Sequence, residues 1–259
     1  VCLEKLISGY PMGDVTPQDF IEHLTIGADG WLGAWIAIAL TAIFGLLVYI
    51  IPIYLTEKDK MGPYPLWLHT FYCAADFMGI WVFLDAWKNY DHFPLFLILS
   101  VGEAIWVCME LYSLQRALTY EKDIIWKPGT SFKSHLTDII IQVVCFFTGL
   151  NMLRFELHDE TMWKFWIFTQ VFITIVPGLV LEKRGYRKGN NIWLHITLII
   201  VAILSFNPWC NMWLCIAPDF FSSEVNPWYY IMGLICLIMS IRGLLIYKSL
   251  PEKSRSRND

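Results

Sequence analysis

The sequence predicts an all-α polytopic membrane protein with seven transmembrane helices, its N-terminus outside or luminal and its C-terminus cytoplasmic. Three observations predict this. Only 16% of the 259 residues are charged and 56% are hydrophobic, whereas soluble domains carry about 25% charged residues. The apolar residues gather in runs of roughly 20, the length that crosses a bilayer. The segments between the runs alternate between basic and non-basic along the chain, the pattern that sets membrane orientation.

Taken in order, residues 1–30 are too polar for the apolar core of a signal peptide and read as an extramembrane segment. Within them "TPQDFIEHL" predicts a short helix with Thr16 as N-cap and Pro17 in its first turn, amphipathic enough to lie on the membrane surface. A transmembrane domain follows over 31–250. Its spans are expected at 32–55, 65–87, 93–115, 136–155, 163–182, 191–208 and 228–248, the sixth being the shortest. Pro177-Gly178 is expected to kink or end the fifth. Residues 251–259 form a cytoplasmic tail.

The orientation follows from the basic residues. Lys58 and Lys60 follow the first span; Arg116, Lys122, Lys127 and Lys133 follow the third. Lys183, Arg184, Arg187 and Lys188 follow the fifth, and Arg242, Lys248, Lys253, Arg255 and Arg257 end the chain. Fifteen of the nineteen basic residues thus fall on one side, leaving Lys5, Lys88, Arg154 and Lys164 on the other.

A weak echo, "FNPWCNMW" and "VNPWYY", flanks the last outer loop. Asn-Pro favours a turn and Trp favours the membrane interface, which accounts for both. The seven cysteines show no CxxC spacing. Cys210 and Cys215 share one outer loop, so a disulfide between them is open in an oxidising compartment.

Four ionisable residues sit where ionisable residues are costly. His69 and Asp76 lie seven residues apart in the second run, and Glu103 and Glu110 seven apart in the third. Seven residues is about two helical turns, so each pair shares a helix face. The two runs are antiparallel neighbours, which puts Asp76 level with Glu103 and His69 level with Glu110. A charge at mid-membrane costs at least about 2.5–3.5 kcal/mol on insertion scales. The functional reading is a polar cavity for proton transfer, cation stabilisation or substrate binding. A packing cluster with His69 paired to Glu110 is the alternative.

Other polar groups share these depths: Asp138 and Gln142 in the fourth span, Gln170 in the fifth and His195 in the sixth. Tyr72, Trp81 and Trp106 are aromatic residues well inside the runs, and an aromatic face stabilises a cation through its quadrupole. His69, Glu110, Asp138 and His195 have metal-ligand chemistry, but no HExxH or HxxxH spacing accompanies them, so no metal is expected. The last span has no lysine for a retinal Schiff base, and no phosphate loop, GxSxG elbow or dinucleotide fingerprint is present. No cofactor is expected, and no basic stripe suggests nucleic acid.

In size, span count and acid-plus-aromatic content, the chain resembles the small integral-membrane terpene cyclases of meroterpenoid pathways. Those enzymes protonate an epoxide or alkene of a prenylated substrate with embedded carboxylic acids. Their best-known group carries a Trp-Glu pair in its first acidic motif; here Trp106 is followed by Val107, with the acids at Glu103 and Glu110. The resemblance implies a cyclase or isomerase acting on a lipophilic small molecule within an ER or bacterial cytoplasmic membrane. Asp76 or Glu103 would be the general acid, His69 and Glu110 would reload the proton, and Tyr72, Trp81 and Trp106 would line the cation. Asp138, Gln142, Gln170 and His195 would complete the substrate wall.

A proton-coupled carrier is the other reading of seven spans with an outside N-terminus. Small carriers often repeat a three-span unit, and spans one to three find no echo in spans five to seven. A receptor or assembly subunit also stays open, as does the oligomeric state.

Overall fold

The computed structural model describes residues 14–251. Cys2, Lys5, Lys253, Arg255 and Arg257, and nearly all of the expected tail, lie outside the described residues. Within them the chain is all-helical, with one isolated bridge between Val15 and Asp159.

Helix α1 spans Pro17–Leu24. The Asp19 carboxylate accepts from the Thr16 backbone N–H at 2.7 Å and from its hydroxyl at 2.9 Å, which fixes the helix start. Then come α2 (Trp31–Asp59), α3 (Leu66–Asn89) and α4 (Pro94–Arg116). The third expected span is longer than 93–115, because α4 runs on through a π-helical turn, Ala117–Glu121, into α5 (Lys122–Ile125). Helices α6 (Phe132–Glu156), α7 (Trp166–Arg184) and α8 (Ile192–Phe206) follow. Two short helices, α9 (Met212–Ile216) and α10 (Pro218–Phe221), occupy the loop before α11 (Pro227–Ser249).

Six of these helices are long and apolar enough to cross a membrane: α2, α3, α4 with its extension, α6, α7 and α11. Helix α8 has 15 residues, about 22 Å at a rise of about 1.5 Å per residue, against a hydrocarbon core of about 30 Å. Large apolar side chains such as Ile43, Ile140, Val144, Leu234 and Leu245 face outward. Six such helices are consistent with an integral membrane protein.

Helix α3 is the centre of the bundle. Seventy-two percent of its most apolar window is buried, against 17% for α2. Its Gly79 lets α4 approach closely, the means by which helices associate in lipid. The Ser100 hydroxyl ties the two by donating to the Ile80 carbonyl at 2.9 Å. Helix α6 packs on another side of α3, while α11 packs on α7 and α8, and α2 leans mainly on α8. Gly178 and Gly243 face each other where α7 crosses α11, and Gly233 meets Phe206 where α11 crosses α8. Pro177 lies inside α7 and does not end it; a proline removes one backbone hydrogen bond, which the packed helix tolerates.

Both ends of the bundle are closed by chain segments. At one end α1 does more than lie on a surface: Phe20 is fully buried and packs edge-on to Trp163 with ring centroids 4.8 Å apart. The 157–165 segment is held there by Asp159, which accepts from the Phe165 N–H at 2.8 Å. Lys164 donates to the Leu157 carbonyl at 2.8 Å, and the Trp213 indole to the Trp163 carbonyl at 3.0 Å. Burial pushes the Asp159 carboxyl above the usual carboxylate range, opposed by the Phe165 N–H. Burial pushes the Lys164 amine down, opposed by Asp159.

At the other end, Arg184 donates to the Gly62 carbonyl at 2.8 Å and Glu121 accepts from the Gly62 N–H at 2.8 Å. This clamps the 60–65 turn onto the bundle. Gly189 has φ +74°, and a Cβ there would lie 2.7 Å from the Met61 carbonyl oxygen, so that corner requires glycine.

The Asn-Pro-Trp echo is local chain chemistry. Asn226 caps α11, accepting from the Tyr229 N–H at 3.1 Å with Pro227 as first helical residue. Asn207 turns the chain by accepting from the Cys210 N–H at 2.7 Å. Cys210 and Cys215 are unbridged thiols 3.9 Å apart.

Candidate functional site

Helices α2, α3, α4, α7 and α8 surround an internal cavity of about 110 Å³. Phe20, Trp163, Met212 and Ile216 close it at the α1 end, and Tyr64 closes it at the other. The Tyr64 hydroxyl is fixed by donating to the Val48 carbonyl at 2.7 Å. The cavity is not sealed on its flank, where Ile38, Thr41, Ala42 and Gly45 of α2 meet Leu99 and Trp106 of α4. All six are half-buried or exposed, and α2 touches α4 at few points.

Two carboxyl groups face this space. Asp76 is 5% exposed and Glu103 is 0% exposed, and they lie close enough to hydrogen-bond to each other. Among the described residues no donor reaches either oxygen of Glu103. The Tyr49 hydroxyl donates to the Asp76 carboxylate at 3.1 Å. One layer further along, Glu110 also lines the cavity, and its carboxylate meets His69 Nδ1 at 2.6 Å. The expected registers, Asp76 with Glu103 and His69 with Glu110, are both present.

Gly79 sets the tightness of the first layer. A Cβ there would lie 2.9 Å from Glu103 Cγ and 3.1 Å from Glu103 Oε2. Glutamate and glycine thus fit face to face between α3 and α4, with no room to spare.

The walls are aromatic. Trp106 stacks on Tyr49 with centroids 6.1 Å apart and planes 13° from parallel. Tyr72 stands edge-on to Tyr49 at 6.3 Å, and its hydroxyl donates to the Thr169 carbonyl at 2.5 Å, so it offers its ring to the cavity. Gln170 completes the wall from α7, its side-chain carbonyl accepting from the Ser205 hydroxyl at 3.3 Å.

Four expected wall residues lie elsewhere. Trp81 is 57% exposed; it follows Asp76 by five residues, about 500° of rotation, and so points away from the acid face. Asp138 and Gln142 belong to a separate cluster between α3 and α6. Asp138 accepts from the Trp126 indole at 2.8 Å and the Gln142 amide at 3.2 Å, and Gln142 accepts from the Thr70 hydroxyl at 3.1 Å. His195 is fully buried against Gly243 and Tyr247, on the α11 side of α8. The four metal-ligand types His69, Glu110, Asp138 and His195 therefore do not converge.

The sequence reading missed Tyr49, Tyr64, Trp163 and Trp166 as cavity residues. For Tyr49 a signal existed: between Ile36 and Pro52 the first run has two polar side chains, Thr41 and Tyr49. Trp163 and Trp166 sit where an interface belt is expected, which hid their inward faces. Comparison of the chain with protein-family models, with curated proteins and with solved structures finds no match.

Proposed function

We propose that this chain is a membrane-embedded cyclase or isomerase that protonates a lipophilic, prenylated substrate. The observation that supports it best is the contact pair Asp76–Glu103, buried and facing an aromatic-walled cavity closed at both ends. Two carboxylates this close cannot both ionise cheaply in a dry site, so the pair holds a proton between them. That proton is the reagent. Delivered to an epoxide oxygen or alkene carbon, it opens a tertiary cation, which the π-faces of Trp106, Tyr49 and Tyr72 stabilise. Ring closure and loss of a proton give an isomer of the starting material. The resemblance to small membrane terpene cyclases points the same way.

Cavity size limits what reacts. About 110 Å³ is below the engineered cavity of about 150 Å³ that takes up benzene. It accommodates the reacting end of a prenyl chain, and the rest leaves along the α2–α4 flank into lipid.

Purified protein incubated with candidate prenyl epoxides is expected to form products of unchanged mass and altered NMR spectrum. A carrier would form no covalent product from any member of the panel, which would replace this reading by proton-coupled transport.

The seven-span topology belongs to the same proposal, with α8 as the sixth crossing in an ER or bacterial cytoplasmic membrane. The basic loops put the 183–188 segment and the C-terminus in the cytoplasm. In a chain with Cys2, Cys210 and Cys215 replaced by serine, Lys183→Cys is expected to react with an impermeant thiol reagent only after permeabilisation. Labelling in intact cells would invert the topology.

A further inference from the structure

Within the acid-catalysis reading, which gives it its purpose, we propose that Tyr49 is the proton relay between the two acidic layers. The path starts from two hydrogen bonds that face one cavity. The Tyr49 hydroxyl donates to Asp76 at 3.1 Å, and Glu110 of the other layer lines the same cavity as Tyr49. Glu110 is in turn bonded to His69 at 2.6 Å. Asp76 and Glu103 are in mutual reach. Exchangeable protons are therefore ordered from His69 through Glu110, Tyr49 and Asp76 to Glu103, with Tyr49 spanning the step between the layers in this proposal.

The ends of this path differ. Glu103 is sealed from solvent at 0% exposure, while the His69 side chain is 12% exposed. His69 sits within electrostatic reach of Glu121 at the end clamped by Arg184. Protons therefore enter on the His69 side. Other titratable groups near the path are Tyr64, Tyr72 and Cys73. The hydroxyls of Tyr64 and Tyr72 are committed to backbone carbonyls, which leaves Tyr49 as the bridging hydroxyl among the described residues.

The step balances without a co-reactant. Tyr49 gives its hydroxyl proton to the Asp76 carboxylate as it accepts one from the Glu110 carboxylic acid. The phenol is regenerated, Glu110 becomes the carboxylate, and His69 returns a proton to it from water. Phenylalanine keeps the ring that stacks on Trp106 and removes only the hydroxyl. Tyr49→Phe therefore isolates the relay from packing.

The test is infrared hydrogen–deuterium exchange on the full chain in nanodiscs. Protonated carboxyl bands are assigned by their loss in Asp76→Asn and Glu103→Gln. Transfer into D2O is expected to shift those bands at least ten-fold more slowly in Tyr49→Phe than in wild type, and Glu110→Gln is expected to slow them likewise. Equal exchange rates in wild type and both variants would overturn the relay, as would the absence of any band that depends on Asp76 or Glu103.

Turnover separates this proposal from the one beneath it. A wild type that makes no product but shows slowed exchange in Tyr49→Phe keeps the relay and removes the cyclase. A wild type that makes product, with Tyr49→Phe unchanged in exchange and in repeated turnover, removes the relay and keeps the cyclase. With both intact, Tyr49→Phe completes a first turnover and stalls afterwards.

Discussion

Replacing Asp76 by Asn, or Glu103 by Gln, is expected to lower turnover by about 10²–10⁴-fold, the range lost with a general acid, while the bundle stays folded. An amide keeps the volume and the hydrogen-bonding capacity of the acid. It cannot deliver a proton as the acid does. Folding is expected to survive because the substitution removes a buried ionisable group and leaves no new cavity. Thermal unfolding in detergent should therefore show little change. Trp106→Ala is expected to act more weakly, since a cation–π partner contributes about 1–2 kcal/mol, roughly ten-fold in rate. In a carrier the same amides would uncouple substrate movement from the proton gradient. Full activity in both amide variants would remove these residues from the mechanism.

Gly79→Ala is expected to damage both stability and turnover, against the ordinary trend for a glycine in a helix. Alanine is preferred there by about 1 kcal/mol. Here the new methyl would stand 2.9 Å from Glu103 Cγ and 3.0 Å from Cδ. Glu103 cannot retreat: it is fully buried, and three residues earlier Ser100 ties α4 to the Ile80 carbonyl. Overpacking of this kind costs about 1–3 kcal/mol, which outweighs the propensity gain. Displacing a reacting group by about 1 Å costs about 10²-fold in rate. A lower melting temperature together with a fall in turnover is expected. A variant that melts higher and turns over normally would show that Glu103 does not depend on this seat.

The legible part of this molecule was its depth profile. Helix rise and bilayer thickness turn residue number directly into depth. The sequence alone therefore placed Asp76 beside Glu103 and His69 beside Glu110; His69 and Glu110 are hydrogen-bonded, and Asp76 and Glu103 line one cavity. Apolar runs of sufficient length likewise located the six long helices. The run at 191–208 marked α8, whose 15 residues are the shortest of the set; the extension of α4 through Ala117–Glu121 escaped, because its polar residues carry no apolar run.

Direction around each helix axis was decided by the tertiary structure. Trp81, Asp138, Gln142 and His195 are all at suitable depths, but Trp81 turns outward, Asp138 and Gln142 turn to the α3–α6 interface, and His195 turns to α11. Tyr49 turns inward and donates to Asp76. In a soluble helix the apolar stripe would have revealed these directions. In a membrane helix the lipid side and the packed side are both apolar, so the pattern that marks a buried face is absent from the sequence. Only neighbouring helices, admitted where glycines such as Gly79 and Gly243 let them close, choose which side chains meet.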